Sequence, residues 1–174
     1  MAKCEKVLFC VNKCQNRFKF SQMIPVQGEY EVTMDAKGRF LLPAKLVSQL
    51  PQGVATHFVI NRGLDDCLYL HPMENWMEQS KEINDLPDHE DDNRKLKKFF
   101  NYGMTMVDLD SASRVLLPQT LRDYAGLEKD LVLSGIGKHI EIWDKSKYHQ
   151  FFDSFTPANY RALYKKVKTQ QTGQ

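Results

Sequence analysis

The 174-residue chain lacks most of what announces a chemistry. No apolar run approaches the roughly twenty residues that a membrane helix needs. The apolar stretch 7–11, behind the first lysines, is too short for a signal peptide. A soluble cytoplasmic protein with no membrane partner is therefore expected. Cysteine is scarce: Cys4, Cys10, Cys14 and Cys67. Three crowd the N-terminus at spacings no zinc module uses, and no histidine follows at finger spacing. They read as reduced thiols, with no metal and no cofactor. There is no glycine-rich phosphate loop, because Gly135-Ile136-Gly137 joins strands rather than opening a helix. Ser134, His139 and Asp144 fall along a hairpin and a helix cap without a nucleophile elbow. Cys67 and His71 read as a core thiol and a loop residue before a proline, and His57, His89 and His149 are scattered. An enzyme acting on a small-molecule substrate is not expected.

A strong charge of either sign is also missing. Net charge is +2, but it is unevenly spread. Residues 1–22 carry five Lys/Arg and one Glu, and residues 157–174 carry four Lys/Arg and no acid. The stretch between them holds 15 bases and 21 acids. Any nucleic-acid binding must come from a local patch rather than from a basic domain.

What the chain does have is one phrase written twice. Asp35-Ala36-Lys37-Gly38-Arg39 leads into Phe40-Leu41-Leu42-Pro43 and Leu46; 75 residues later Asp110-Ser111-Ala112-Ser113-Arg114 leads into Val115-Leu116-Leu117-Pro118 and Leu121. The shared frame D-x-x-x-R-φ-L-L-P-x-x-L predicts one domain built from two similar halves. It also sets two copies of a charged turn on a pseudo-symmetric scaffold, and repeated polar turns are better function candidates than repeated core residues.

The elements follow the repeat. In 28–86, Tyr30, Val32 and Met34 alternate with polar residues as a half-buried strand. A turn, a short strand, and a helix opened by Pro43 and carrying Leu42, Leu46 and Leu50 on one face come next. Strands are expected at 57–61 and 67–71, then a helix from Pro72 to about Asn84. In 103–156 the order recurs, with a helix ending at Gly126, a Gly-Ile-Gly-Lys hairpin and Asp144 capping a last helix. Between them, 87–102 reads as a linking helix with a Leu96, Phe99, Phe100 stripe. Residues 1–27 read as a flexible extension, with Met23 as a natural start, and 157–174 as a basic tail, expected to be a frayed, solvated terminus with a short amphipathic helix as the alternative. Glu29 and Glu31 of the first strand correspond to Met104 and Met106 in the second. A strand apolar on both faces is usually covered on both, so Met104 and Met106 are expected against the linking helix or another subunit.

Each turn has a local reading and a functional one. Asp35 and Asp110 suit the first turn position, where a carboxylate bonds the backbone two residues on. Arg39 and Arg114 either close the turn as ion pairs or offer a planar fork to phosphate or to the O6/N7 edge of guanine. Lys37 at the turn tip has no structural duty in the sequence.

The phrase Gly28-Glu29-Tyr30-Glu31-Val32-Thr33-Met34-Asp35-Ala36-Lys37-Gly38-Arg39 closely resembles the opening of the MraZ family of bacterial transcription regulators. Cys67 to Leu70, Asp110 to Pro118, Tyr124 to Leu127 and Ile140 to Asp144 carry the likeness on, over about residues 24–150. The resemblance implies an α+β fold: an AbrB-like double swapped-hairpin β-barrel with flanking helices. It implies a ring-shaped homo-oligomer that binds double-stranded DNA at short G-rich direct repeats. Those repeats lie in the promoter of its own operon, in the division and cell-wall gene cluster, so a nucleoid-associated protein is implied. By match, Lys37, Arg39 and Arg114 face DNA, while Asp35, Gly38, Asp110 and Ser113 shape the turns. Ser113 stands where glycine is usual, and a left-handed conformation costs serine more. An antitoxin of the same fold has a short chain with one hairpin unit, against which two fused repeats argue. A protein-interaction scaffold fits the Met104/Met106 face.

Overall fold

A computed structural model describes residues 25–50, 56–153 and 155–171. The extension 1–22, with Cys4, Cys10 and Cys14, lies outside the described residues, as does Met23. The strands among the described residues are β1 (Val26–Thr33), β2 (Arg39–Leu41), β3 (His57–Arg62), β4 (Leu68–Pro72), β5 (Thr105–Asp108), β6 (Arg114–Leu116), β7 (Asp130–Gly137) and β8 (Ile140–Asp144). The helices are α1 (Ala44–Val47), α2 (Met73–Asn84), α3 (Asp91–Asn101), α4 (Gln119–Ala125), α5 (Lys145–Asp153) and α6 (Pro157–Gln171).

The halves do not fold side by side; they exchange strands. One antiparallel sheet runs β1-β7-β8-β4-β3-β5, and a second, two-stranded ladder joins β2 to β6. β1 of the first repeat pairs along its whole length with β7 of the second, from Val26 opposite Gly137 to Thr33 opposite Asp130. β5 of the second repeat returns the exchange onto β3. The fold is mixed α+β with swapped hairpins, and its described ladders are these two sheets.

The driving force is visible in the pattern. Phe40, Leu42, Leu46, Val115, Leu117 and Leu121, all from the repeated phrase, lie at 0–1% exposure in one core with Phe58, Ile60, Leu70, Leu131 and Leu133. Both repeats contribute to that core, so neither half buries its apolar face alone. A second cluster gathers Cys67, Val132, Trp143 and Tyr148. Pro43 and Pro118 precede α1 and α4 as expected, and Gly126 ends α4 at φ 59°, a left-handed cap. Asp144 accepts from the Ser146 N–H at 3.0 Å at the start of α5.

Several boundaries moved. Val26 and Gln27 belong to β1, not to the extension, because β7 runs long enough to pair them. Gly135, Ile136 and Gly137 therefore lie in β7, and the hairpin turn falls at Lys138-His139. Glycine is needed at 135: an added Cβ would sit 2.9 Å from the Val26 carbonyl oxygen. His71 is a fully buried strand residue, not part of a loop. In α3 only Phe100 of the stripe is anchored, stacked on Trp76 at 4.7 Å; Leu96 and Phe99 are exposed. The tail is not frayed over 157–171 but forms a helix, α6, whose residues 157–170 are all exposed.

Candidate nucleic-acid interface

The exchange brings the two charged turns together. β2 and β6 cross with Phe40 opposite Val115, Arg39 opposite Leu116 and Leu41 opposite Arg114. Each turn also bonds the strand of the other repeat: Leu42 N–H donates to the Ser113 carbonyl at 3.0 Å, and Leu117 N–H to the Gly38 carbonyl at 2.9 Å. Strand alternation puts Phe40 and Val115 inward. The outward face then carries Arg39, Leu41, Arg114 and Leu116, with an arginine at each diagonal corner. Leu41 and Leu116 are about half exposed. The sequence hid this pair, because a run of apolar residues does not say which leucine faces out.

The two turns are built alike. Asp35 Oδ1 accepts from the N–H groups of Lys37 and Arg39, both at 2.9 Å, and Asp110 Oδ1 from those of Ala112 and Arg114 at 2.9 and 3.0 Å. The other carboxylate oxygen takes the arginine: Arg39 Nε donates to Asp35 Oδ2 at 2.9 Å and Arg114 Nε to Asp110 Oδ2 at 2.8 Å. The Arg39 backbone N–H and guanidinium hold the Asp35 carboxyl down at about 2. Asp110 is lowered by the same contacts from Arg114, the backbone bond first. Both carboxylates therefore stay charged through the neutral range. Gly38 takes φ 83° and Ser113 φ 57°, the one positive-φ residue other than glycine among those described.

The local ion-pair geometry is thus present, and it leaves the functional geometry available. Each aspartate engages the inner edge of its guanidinium and fixes its direction. Nη1 of Arg39 and both Nη of Arg114 have no described partner, on side chains about one-third exposed. Lys37 is exposed at the tip of the first turn.

Met104 and Met106 lie outside this assembly, at the start of edge strand β5. Met104 is half-buried and Met106 is 66% exposed, so α3 does not cover it. The repeat explains the difference from β1. There α5 supplies polar partners: Tyr148 OH donates to Glu29 and Lys145 Nζ to Glu31, both at 2.6 Å. Counted from the first residue of each helix, the positions equivalent to Lys145 and Tyr148 in α2 are Met73 and Trp76; Met73 carries no charge for an acid, and Trp76 is stacked on Phe100.

The other sequence candidates are not assembled into a site. Asp144 is occupied by Ser146 and by the Glu128 N–H, while the His139 ring faces Tyr69 and His71. Among the described residues no group of three or more His, Cys, Asp or Glu is placed to hold a metal ion. No described helix is long and apolar enough to cross a membrane.

Two strand-swapped repeats, each presenting an Asp-braced arginine turn at a shared crossing, define a class of pseudo-symmetric swapped-hairpin proteins. The family model described as "MraZ protein, putative antitoxin-like" matches residues 26–99 and again 100–169, and the chain belongs to the MraZ family. Proteins named transcriptional regulator MraZ are similar over most of it. That of Moorella thermoacetica is 39% identical over 140 residues, 80% of this chain and 94% of the relative. That of Acetivibrio thermocellus is 39% identical over 124 residues, 71% and 84%, and that of Lactiplantibacillus plantarum 40% over 136, 78% and 93%. The solution structure of PHS018 from Pyrococcus horikoshii aligns with 66% of this chain and 95% of its own, at TM-score 0.31 and 14% identity, too distant to argue from.

Proposed function

We propose that this protein is a sequence-specific, DNA-binding transcriptional regulator that reads double-stranded promoter DNA with the two crossed turns. The observation that carries the reading is the shared face of β2 and β6. Two arginines, each aimed by its own aspartate, stand there together, with Lys37 beside the first. Preoriented forks suit bidentate contact with guanine edges or phosphates. By family likeness the target is a set of short G-rich direct repeats in the promoter of its own operon, within the division and cell-wall gene cluster. Several subunits in a ring would multiply weak single contacts on repeated sites. The exposed Met106 is a candidate for part of the ring contact, and nucleoid association follows from the DNA reading.

Arg39→Ala tests the site. The turn keeps its backbone bonds to Asp35, so the fold should survive. Each bidentate guanine contact removed should weaken operator binding by about 1–3 kcal/mol per subunit. A gel-shift with the DNA upstream of its own gene, beside a scrambled duplex, measures this. Unchanged operator affinity assigns Arg39 to the turn alone. A parent that ignores the upstream DNA favours the antitoxin or scaffold readings, of which the exposed Met106 supports the second.

Helix α6 adds a separate expectation. Arg161, Lys165 and Lys168 share one side, next to a stripe of Tyr160, Leu163, Tyr164 and Val167. Deleting residues 158–174 should weaken binding to operator and scrambled DNA equally. It should also make the salt dependence shallower, the log–log slope falling by roughly 0.9 for each phosphate left without its cation. An unchanged slope removes the helix from the DNA interface.

A further inference from the structure

The two turns match in their hydrogen bonds, but the first has a further contact that the equivalent residues of the second cannot reproduce. The Arg122 side chain, from α4 of the second repeat, lies against Gly38 in the first turn. A Cβ added to Gly38 would stand 2.8 Å from Arg122 Cζ, 3.0 Å from Nε and 3.1 Å from Nη1. A side chain here would push the guanidinium aside, so Gly38, favoured by its φ of 83°, also lets Arg122 close down on the turn.

Arg122 is held in that position from its own helix. Its Nη2 donates to Gln119 Oε1, and Gln119 Nε2 donates in turn to Asp123 Oδ1 at 2.6 Å. Its Nε is buried with no partner among the described residues. Leaving a guanidinium nitrogen unpaired away from water works against stability. The contact is therefore poorly explained as a contribution to folding alone.

The internal repeat supplies the control. Residues 75 positions apart are equivalent, so Arg122 corresponds to Val47 and Gly38 to Ser113. Val47 packs on the core instead of reaching a turn. Ser113 adopts φ 57° with a side chain where Gly38 has none. The equivalent contact at the second turn, between Val47 of the first repeat and Ser113 of the second, lacks both members together. With valine at position 47, no guanidinium is there to meet the serine side chain.

We propose that Arg122 is a positioning residue for DNA recognition: it buttresses the Asp35–Arg39 turn across the repeat boundary and makes this the preorganised reading turn, while the Asp110–Arg114 turn, lacking a buttress, is the adaptable one. The role rests on the DNA-binding reading, and its physical basis is that a turn already ordered in the free protein loses less freedom on binding.

The test uses the full chain. Arg122→Val, the residue of the equivalent position, should speed amide exchange at Lys37, Gly38 and Arg39 by about tenfold and leave Ala112, Ser113 and Arg114 unchanged. It should also weaken binding to a duplex of the upstream DNA by about five- to tenfold, within the usual coupling of residues in contact. Arg122→Lys, which keeps the charge but not the planar group, should not restore either value. The reciprocal variant Val47→Arg with Ser113→Gly should slow exchange at Ala112 and Arg114. Unchanged exchange at the first turn in Arg122→Val overturns the buttress, as does equal change at both turns. Selective exchange with unaltered affinity overturns the role in binding. Failure of the parent itself to bind the upstream DNA refutes the DNA reading, and with it that role; the exchange results are then read on the buttress alone.

Discussion

Acidification from pH 7 to pH 5 is expected to remove about 2 kcal/mol of folding stability through His71 alone. His71 is fully buried on β4, with Nε2 3.1 Å from Asn61 Oδ1, Nδ1 unpartnered, and the rings of Trp76 and His139 at 5.2 and 4.9 Å. Burial, and then the neighbouring His139, push it down to about 3. His139 is pushed down to about 4, by burial first and Lys138 second. In the unfolded chain both rings take up a proton near pH 6.5. Between about pH 6.5 and 4 the unfolded state therefore binds protons that the folded state refuses, and stability falls as pH falls. The lowered carboxylates, Asp35 and Asp110 among them, act in the same direction but below about pH 4, while Glu141, raised by burial, acts in the opposite direction, so the His71 share is read from the variant. Urea unfolding at both pH values measures the difference, and His71→Phe should about halve it, leaving the share of His139. Equal pH slopes in parent and variant would show that His71 is protonated in the folded protein.

Phe40→Ala is the substitution expected to cost most, about 3–5 kcal/mol. Phe40 is 1% exposed at the centre of the strand crossing, opposite Val115. The void would open beneath both turns at once, since β2 and β6 form the ladder that aligns them. Amide exchange should rise in Ala112 and Arg114 as well as in Lys37 and Arg39, although Phe40 belongs to the first repeat. Leu41→Ala, one residue on but about half exposed, should change stability by about 0.5 kcal/mol or less. Similar losses from both variants would contradict the inward and outward assignment of β2. A rise in exchange confined to the first turn would show that the turns are not mechanically joined.

These expectations separate what local chemistry specified from what required the folded chain. Alternation at Tyr30, Val32 and Met34, proline before α1 and α4, glycine after α4 and aspartate before α5 are each settled by backbone and side-chain physics within a few residues. So is the aspartate clamp of each turn, whose bonds span only two to four positions. For that reason the repeat, the order of elements and the candidate arginines could be read directly. Strand ends could not, because a strand extends as far as its partner does: Val26 and Gln27 are ordered by β7, more than a hundred residues away.

Pairing across the repeats was decided by tertiary structure, and so was everything that depends on it. Only the crossing of β2 and β6 turns Leu41 and Leu116 outward beside the two arginines. Only the packing of one repeat on the other brings Arg122 against Gly38 or encloses His71 with His139. The sequence by itself determined two charged turns and the apolar residues that must be buried beneath them. The exchange of strands determined that the turns share one face and that one of them is pressed by the opposite repeat. The physical reason is that each half, alone, has too little apolar surface to close its own core, so its neighbours in space are set by the other half.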